Sequence, residues 1–178
     1  MESYRPSSTG HLIKRVLPAA GLHLYRKERP LALADLAPAE KELWILHPHG
    51  DPMPAHADLS RVQALLIDGT WVQATEMARA VTPWGRRVSL PMVGESRYWL
   101  RAQSGPGRFS TVEALLFLLN AVGLVDAHTQ LRLQFELHVF SSLCARGQKQ
   151  DALRYLVDSP VREEFPELIA NLTRSRRD

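Results

Sequence analysis

A carboxylate that could accept a proton stands at the end of an apolar segment. The run Leu65-Leu66-Ile67 leads into Asp68, which is followed by Gly69. In parallel sheets, ligands bind at the carboxyl ends of the strands, where Asp68 would lie. Burial raises the pKa of a carboxyl group, so a partly desolvated Asp68 would suit general base catalysis. The alternative is a structural role, because Asp-Gly is a common turn pair.

Two stretches have the spacing of a capping box, in which Ser or Thr caps a helix and Glu or Gln follows three residues later. They are Thr70-Trp71-Val72-Gln73 and Ser110-Thr111-Val112-Glu113. A helix N-terminus offers backbone N–H donors and a positive dipole end, so the turn at Ser110-Thr111 could hold a carboxylate ligand. A purely capping role is the alternative for both stretches. Trp71 is either a pocket wall or part of the core.

Residues of metal-ligating type follow the predicted strand at 43–46, namely His47, His49, Asp51, His56 and Asp58. On an extended chain, His47 and His49 would point to the same side. Against this, their spacing matches no specific metal motif, and the prolines among them predict a loop over 47–54. We therefore predict no metal site.

Composition and charge narrow the class of protein. The 178 residues are 45% hydrophobic and carry a net charge of +3. This length favours one domain, taken as 1–178. The single cysteine, Cys144, excludes an intramolecular disulfide framework and a cysteine-based zinc site. The first ten residues lack the apolar stretch of a signal peptide, and the apolar run 114–119 is too short to span a bilayer, so we expect a cytoplasmic protein without a membrane span.

Arginines gather in short sets, which permits a polyanionic partner such as a nucleic acid. Arg97 and Arg101 lie four residues apart, so on a helix they would share a face that could meet phosphate. Ordinary surface charge is the alternative. Further candidates for contact with RNA phosphates are Lys14, Arg15, Arg86 and Arg87.

Apolar runs and turn residues predict strands that alternate with helices. Strands are expected at 22–25, 43–46 and 62–68. Helices are expected from the cap Thr9 to Val16, from Pro38 to the strand at 43, from the cap Thr70 to about Ala80, from the cap Ser110 through 114–119, and over 131–143, 151–157 and 161–172. Residues 131–143 fit both period 2 and period 3.6, and their length favours a helix. The predicted fold class is α/β, with a mostly parallel sheet flanked by helices.

Segment 65–74, with Asp68-Gly69-Thr70-Trp71 at its centre, resembles the signature of the DTW-domain family, which is named for an Asp-x-Thr-Trp core. Further family-like blocks occur in the expected order along the chain. They are Thr9-Gly10-His11-Leu12, Leu90-Pro91, Ser96-Arg97-Tyr98-Trp99-Leu100-Arg101 and Ser110-Thr111-Val112-Glu113-Ala114. Because these blocks span most of the chain, they argue against chance similarity.

The resemblance implies a fold and a reaction. DTW proteins are similar to tRNA-uridine aminocarboxypropyltransferases and are related to an rRNA aminocarboxypropyltransferase, so we expect a SPOUT-like fold with a C-terminal knot. The implied reaction transfers the 3-amino-3-carboxypropyl group of S-adenosylmethionine (SAM) to N3 of a tRNA uridine and releases methylthioadenosine. The implied partner is tRNA, and no metal or obligatory protein partner is implied.

The resemblance also assigns roles to residues. Asp68 is the implied catalytic base. The residues implied in SAM binding are Thr70, Trp71, Leu90, Pro91, Ser96, Tyr98, Ser110, Thr111 and Glu113. The residues proposed to contact RNA are Lys14, Arg15, Arg86, Arg87, Arg97 and Arg101. For Glu113, a purely capping role remains the alternative to binding the methionyl ammonium group of SAM.

The sequence departs from the family pattern in two places. Many DTW proteins begin with a cysteine-rich segment, which is not found here, and Ser7-Ser8-Thr9-Gly10 stands where the family often has Asn-Thr-Gly. These departures bear on the choice of RNA more than on the reaction. Two other functions remain open: methyl transfer from SAM on the same fold, and RNA binding without catalysis.

Overall fold

The computed structural model of the protein describes residues 9–26, 28–29, 31–101 and 108–173, apart from the side chain of Trp71. Within these residues, the helices are α1 (Gly10–Val16), α2 (Leu33–Leu36), α3 (Trp71–Val81), α4 (Thr111–Ala121), α5 (Val125–Ala145), α6 (Lys149–Tyr155), α7 (Val161–Glu164) and α8 (Pro166–Thr173). The strands are β1 (Glu42–Pro52), β2 (Val62–Leu65) and β3 (Arg86–Ser89). Short 3-10 turns, Leu59–Arg61 and Thr82–Trp84, precede β2 and β3.

The three strands form a parallel sheet in the order β2-β1-β3. Residues 42–45 of β1 pair with 62–65 of β2, and residues 44–46 pair with 86–88 of β3. Because parallel strands end at one edge of the sheet, the segments that follow β2 and β3 emerge on the same side. The predicted α/β class with a parallel sheet is confirmed, although the sheet is small. The SPOUT-like topology and the knot stay predictions.

Strand β1 is longer than predicted, because it pairs with β3 again after a bulge. Leu46 and Asp51 both pair with Val88, so residues 47–50 bulge out of the ladder before Pro52 pairs with Ser89. A Cβ on Gly50 would lie 2.6 Å from the backbone nitrogen of Val88, so only glycine fits there. The predicted loop over 47–54 is therefore wrong for the residues up to Pro52.

Helices pack on both faces of the sheet, because successive side chains of its strands point alternately to one face and to the other. Leu43 and Ile45 join a small cluster with Leu36, Ala37 and Val81. The opposite face, through Leu46, Ala64, Leu66 and Leu90, packs against a larger cluster built mainly from α4, α5 and the C-terminal helices. Buried members of that cluster from the C-terminal helices and their connections are Ala152, Tyr155, Leu156 and Val161.

Helices α4 and α5 confirm two predictions. The capping box at Ser110 opens α4, whose buried side chains include Val112, Leu115 and Leu119. In α5, residues 131, 135, 139 and 143 are all buried at period 3.6, which decides the ambiguity of 131–143 in favour of a helix. Gly123 and Gly147 follow the two helices at φ 73° and 75°, a left-handed conformation that favours glycine.

The strand predicted at 22–25 is wrong. These residues adopt no regular secondary structure, and Leu22 and Leu24 are 64% and 53% exposed. No neighbouring strand among the described residues pairs with them. The nearest β contact is the isolated bridge between Arg26 and Arg29.

The helix predicted to start at Pro38 is also wrong. The helical turn α2 ends at Leu36, Ala37 is extended at φ −146° and ψ 138°, and the Lys41 amide donates to the Pro38 carbonyl in a turn. A residue that precedes proline is pushed out of the helical region, which explains why the helix ends before Pro38.

Three further boundaries differ from prediction. Strand β3 was not predicted, because Arg86-Arg87-Val88-Ser89 is short and polar. Strand β2 ends at Leu65, so residues 66–68 continue beyond the ladder. The helix expected over 161–172 is interrupted at Phe165. Phe165 precedes Pro166, and a residue that precedes proline is pushed out of the helical region.

No helix in the described part of the chain is long and apolar enough to cross a lipid bilayer.

Candidate functional site

Asp68 lies beyond the carboxyl end of β2, between the first residues of two helices. Its Oδ1 accepts a 2.7 Å hydrogen bond from the Thr111 hydroxyl at the start of α4. Its Oδ2 lies 3.6 Å from where a Cβ on Gly10, the first residue of α1, would stand. The positive ends of both helix dipoles therefore lie near the carboxyl group of Asp68.

The side chain of Asp68 is exposed, so the prediction that it is partly desolvated is wrong. An exposed carboxylate is accessible to a large substrate. A bound substrate that displaces water would supply the desolvation that the fold does not.

The predicted capping box of α3 is confirmed. The Thr70 hydroxyl accepts from the Gln73 amide at 3.4 Å, and Gln73 Oε1 accepts from the Thr70 amide at 2.9 Å. Thr70 is exposed and lies two residues from Asp68. Trp71 begins α3. Its side chain is outside the part of the protein that the structure describes, so its predicted place in a pocket stays a prediction.

Glu113 is buried, with 5% of its surface exposed, and its carboxylate serves as a structural acceptor. It accepts hydrogen bonds from the Ser110 amide at 2.7 Å, the Arg97 amide at 2.6 Å and the Ser96 hydroxyl at 2.9 Å. The capping role is therefore observed. Because Glu113 and Ser96 bind each other, they hold segment 96–97 against the start of α4, while their predicted contacts with SAM stay predictions.

Arg97 forms contacts within the protein, while its predicted contact with RNA stays a prediction. Its Nη2 donates to Glu136 Oε2 at 3.2 Å and to the Tyr155 carbonyl at 2.8 Å. Its guanidinium carbon lies 4.1 Å from the centre of the Tyr155 ring. Residues 97–101 are not helical, so the predicted shared face of Arg97 and Arg101 does not form. Arg97 thus has an internal ion-pairing role that sequence analysis did not predict.

The remaining residues predicted to bind SAM divide between core and edge. Tyr98 is buried, its ring stacks near Phe135, and its amide donates to the Ser96 hydroxyl at 3.1 Å. Leu90 and Pro91 follow β3, so they lie at the same edge of the sheet as Asp68. Leu90 packs partly against the large core cluster, and Pro91 is exposed.

The other basic residues predicted to contact RNA are exposed. They are Lys14, Arg15, Arg86, Arg87 and Arg101. Arg86 Nε lies 3.5 Å from Asp51 Oδ2, and the Arg101 guanidinium lies 5.4 Å from the Tyr98 ring centre. Their exposure is compatible with phosphate contact, which stays a prediction.

The two histidines in the bulge of β1, His47 and His49, contact each other. The His49 amide donates to Nδ1 of His47 at 3.1 Å, and the ring centres are 5.7 Å apart. Burial, followed by the nearby Arg87 and His49, lowers the pKa of His47. Among the described residues, no three His, Cys, Asp or Glu side chains form a group that could hold a metal ion.

Sequence analysis did not identify Glu136, whose side chain is only 2% exposed. Its carboxylate joins Arg97 at 3.2 Å and Arg132 at 2.9 Å. A signal was present, because Glu136 is a charged residue on a helix face that also carries Phe140 and Leu143. A carboxylate on a buried helix face requires partners that donate hydrogen bonds to it, and here these are two arginines.

A cavity of about 330 Å³ lies at the opposite edge of the sheet from Asp68. It is lined by Glu42 and Val62, which begin β1 and β2, and by Trp44 and Arg61. The cavity is therefore separate from the candidate site.

Comparison with known proteins identifies the family. A model of the DTW domain matches residues 1–145, which include Asp68, Glu113 and every other predicted site residue. No curated protein matches the chain. No solved structure matches it. The match covers most of the sequence, and the chain therefore belongs to the DTW-domain family.

Proposed function

We propose that the protein transfers the 3-amino-3-carboxypropyl group of SAM to N3 of a uridine in tRNA. Membership of the DTW-domain family is consistent with tRNA modification. The observation that most directly supports a catalytic role is the hydrogen bond from Thr111 to Asp68 at the carboxyl edge of the sheet. Open α/β sheets bind ligands at this edge.

In this proposal, Asp68 takes the proton from N3 of the uridine. Uridine N3 is a poor nucleophile until it is deprotonated, so a positioned carboxylate is a suitable general base. The Thr111 hydroxyl orients one oxygen of Asp68, which leaves the other oxygen to accept the proton. The exposure of Asp68 allows a base carried on a large RNA to reach it.

SAM supplies an electrophilic γ-carbon next to a sulfonium. The N3–carbon bond forms as the carbon–sulfur bond breaks, the N3 proton passes to Asp68, and methylthioadenosine leaves. SAM also has a reactive methyl group, so selection of the γ-carbon depends on how the residues position it.

Several features of the chain fit SAM. The first turn of α4, at Thr111, offers its positive dipole end to the methionyl carboxylate. Leu90 and Pro91 present apolar surface to the adenosyl group at the end of β3. Glu113, Ser96 and Tyr98 support this edge from within the protein, because their polar and aromatic groups already have partners. Binding of SAM by Thr70 and Trp71 is proposed on the resemblance alone.

The test is to incubate the protein with unmodified tRNA and SAM, digest the RNA to nucleosides and analyse both products by mass spectrometry. We expect 3-(3-amino-3-carboxypropyl)uridine and methylthioadenosine. Asp68→Asn should abolish both, while Asp126→Asn, an exposed carboxylate in the first turn of α5, should leave them unchanged.

Two results would overturn the proposal. A methylated nucleoside with S-adenosylhomocysteine would show methyl transfer. Absence of product from tRNA and rRNA, with RNA binding that is the same in Asp68→Asn, would indicate an RNA-binding protein without catalysis.

A further inference from the structure

Two histidines meet where α1 packs against α5. The rings of His11 and His138 are edge to face, with centres 5.5 Å apart. His138 is partly buried, and its Nε2 is shielded from solvent and has no hydrogen-bond partner among the described residues. Arg15 on α1 and Arg146 at the end of α5 are exposed and lie close enough to act on His138. We call these four residues the α1/α5 cluster.

The charges around the α1/α5 cluster have one sign. Burial lowers the pKa of His138, and the nearby His11, Arg15 and Arg146 lower it further. Glu136 is two residues from His138, but its carboxylate is bound to Arg97 and Arg132. Within the described part of the chain, the charged groups that shift the pKa of His138 include no carboxylate, and the exposed N–H donors are those of His11, Arg15 and Arg146. This combination suits a phosphate group.

Arg146 is held in place without using all its donors. Its Nη1 donates to the Leu100 carbonyl at 3.0 Å. A guanidinium has five N–H donors in a fixed arrangement, so this bond orients the group while other donors remain to contact an anion.

The cluster begins next to the candidate catalytic residue. His11 follows Gly10, whose Cβ position would lie 3.6 Å from Asp68 Oδ2. Arg15 lies about one helical turn further along the same face of α1, a rise of about 6 Å. His138 and Arg146 share one face of α5 about two turns apart, a rise of about 12 Å. The basic surface therefore extends away from Asp68 along two helices.

From this arrangement, and resting on the proposed function, we propose that His11, Arg15 and Arg146 bind the phosphate backbone of the tRNA strand that carries the reacting uridine, while the ring of His138 packs against that of His11. By holding the phosphates next to the uridine, the cluster then places the uridine at Asp68. Such contacts position an RNA without reading its sequence.

The test measures binding of fluorescein-labelled, unmodified tRNA to the full chain without SAM, by fluorescence anisotropy between 50 and 200 mM salt. The double variant Arg15→Gln/Arg146→Gln should bind about tenfold more weakly and lower the salt slope by about 1.5 to 2, because two phosphate contacts are lost. His11→Gln, at an exposed position, should weaken binding about two- to threefold, the effect of one weaker phosphate hydrogen bond.

The matched control is Arg61→Gln/Arg79→Gln, which removes the same charge. Arg61 lies at the opposite edge of the sheet, and Arg79 is exposed in the last turn of α3. Equal losses of affinity in the two double variants would overturn the proposal, since that result would reflect net charge alone.

Product analysis separates this inference from the proposed function. If wild-type protein forms no modified uridine but affinity still depends on Arg15 and Arg146, the RNA-binding surface stands and the proposed reaction fails. If modified uridine forms and affinity does not depend on this pair, the reaction stands and the surface fails.

Discussion

The hydroxyl of Thr111 donates a 2.7 Å hydrogen bond to Oδ1 of Asp68, across 43 residues of sequence. The bond joins the segment after β2 to the first residue of α4. It therefore determines which oxygen of the carboxylate is held, and it leaves the other oxygen for the proton transfer that we propose.

Thr111→Val should lower the rate of tRNA modification about tenfold or more, because a hydrogen bond to a charged group contributes about 1.5 to 3 kcal/mol. Thr111→Ser, which keeps the hydroxyl, should retain most of the activity. Initial rates of modified nucleoside formation at saturating tRNA and SAM measure both. Equal rates for Thr111→Val and the wild type would show that this bond does not orient Asp68 during the reaction.

The two capping boxes should differ in their contribution to stability. Glu113→Gln replaces a buried carboxylate that accepts from three groups by an amide with its own donors, so it should cost about 2 to 3 kcal/mol of unfolding free energy. The reciprocal change in the exposed box, Gln73→Glu, should change stability by less than about 0.5 kcal/mol. Urea unfolding measures both values, and similar values for the two variants would contradict the structural role of Glu113.

Arg97→Met should destabilise the fold by about 3 kcal/mol, because it removes a partner from the buried carboxylate of Glu136. Adding Glu136→Gln should recover part of this loss. The coupling free energy of the pair is the change in the double variant minus the sum of the changes in the two single variants, Arg97→Met and Glu136→Gln. Arg101→Gln, by contrast, changes an exposed residue and should leave the unfolding free energy unchanged. Additive losses in the double variant would show that Arg97 and Glu136 are not coupled.

The protein should lose stability as the pH falls below about 6.5. Burial is the first cause that lowers the pKa values of His47, His128 and His138 from 6.5, so the unfolded chain binds protons more readily than the folded one. Their contribution is complete above pH 6.5 and is lost as the pH falls through the lowered values. Hydrogen bonds with Ser60 lower the pKa of Asp58 from 3.8, so its contribution to stability is complete above this pH and is lost only under more acidic conditions. Urea unfolding between pH 7.5 and 5.5 measures the slope, and a flat profile would contradict the burial of these histidines.

Gly85 should tolerate no side chain. A Cβ at this position would lie 2.3 Å from the Leu43 carbonyl oxygen of β1, so Gly85→Ala must separate β1 from the start of β3 and should cost about 3 kcal/mol or more. The comparison is Gly147→Ala, where a Cβ meets no atom within 4 Å and only the φ of 75° is unfavourable. That variant should cost about 1 kcal/mol. Thermal unfolding orders the two, and the reverse order would contradict the close approach of Gly85 to β1.

Local chemistry explains which elements were predictable. The boxes Thr70/Gln73 and Ser110/Glu113 form between residues three apart, so their side chains meet whenever the helix forms. The buried residues of α5 recur with a period of 3.6 residues, and this pattern is visible within a single segment of the sequence. Strand β3 has no such signal, because Arg86-Arg87-Val88-Ser89 forms a strand only by pairing with β1.

By itself, the sequence determined the α/β class, both capping boxes, the family and the position of Asp68 after an apolar run. Only the tertiary structure decided that Thr111 holds Asp68, that Glu113 binds segment 96–97, and that Arg97 turns inward to Glu136, 39 residues away. The reason is that the residues next to a charged residue in the sequence do not show whether its side chain faces water or a buried partner. Which of the two it meets depends on helices and strands that are distant in the sequence, and these are brought together only by packing of the core.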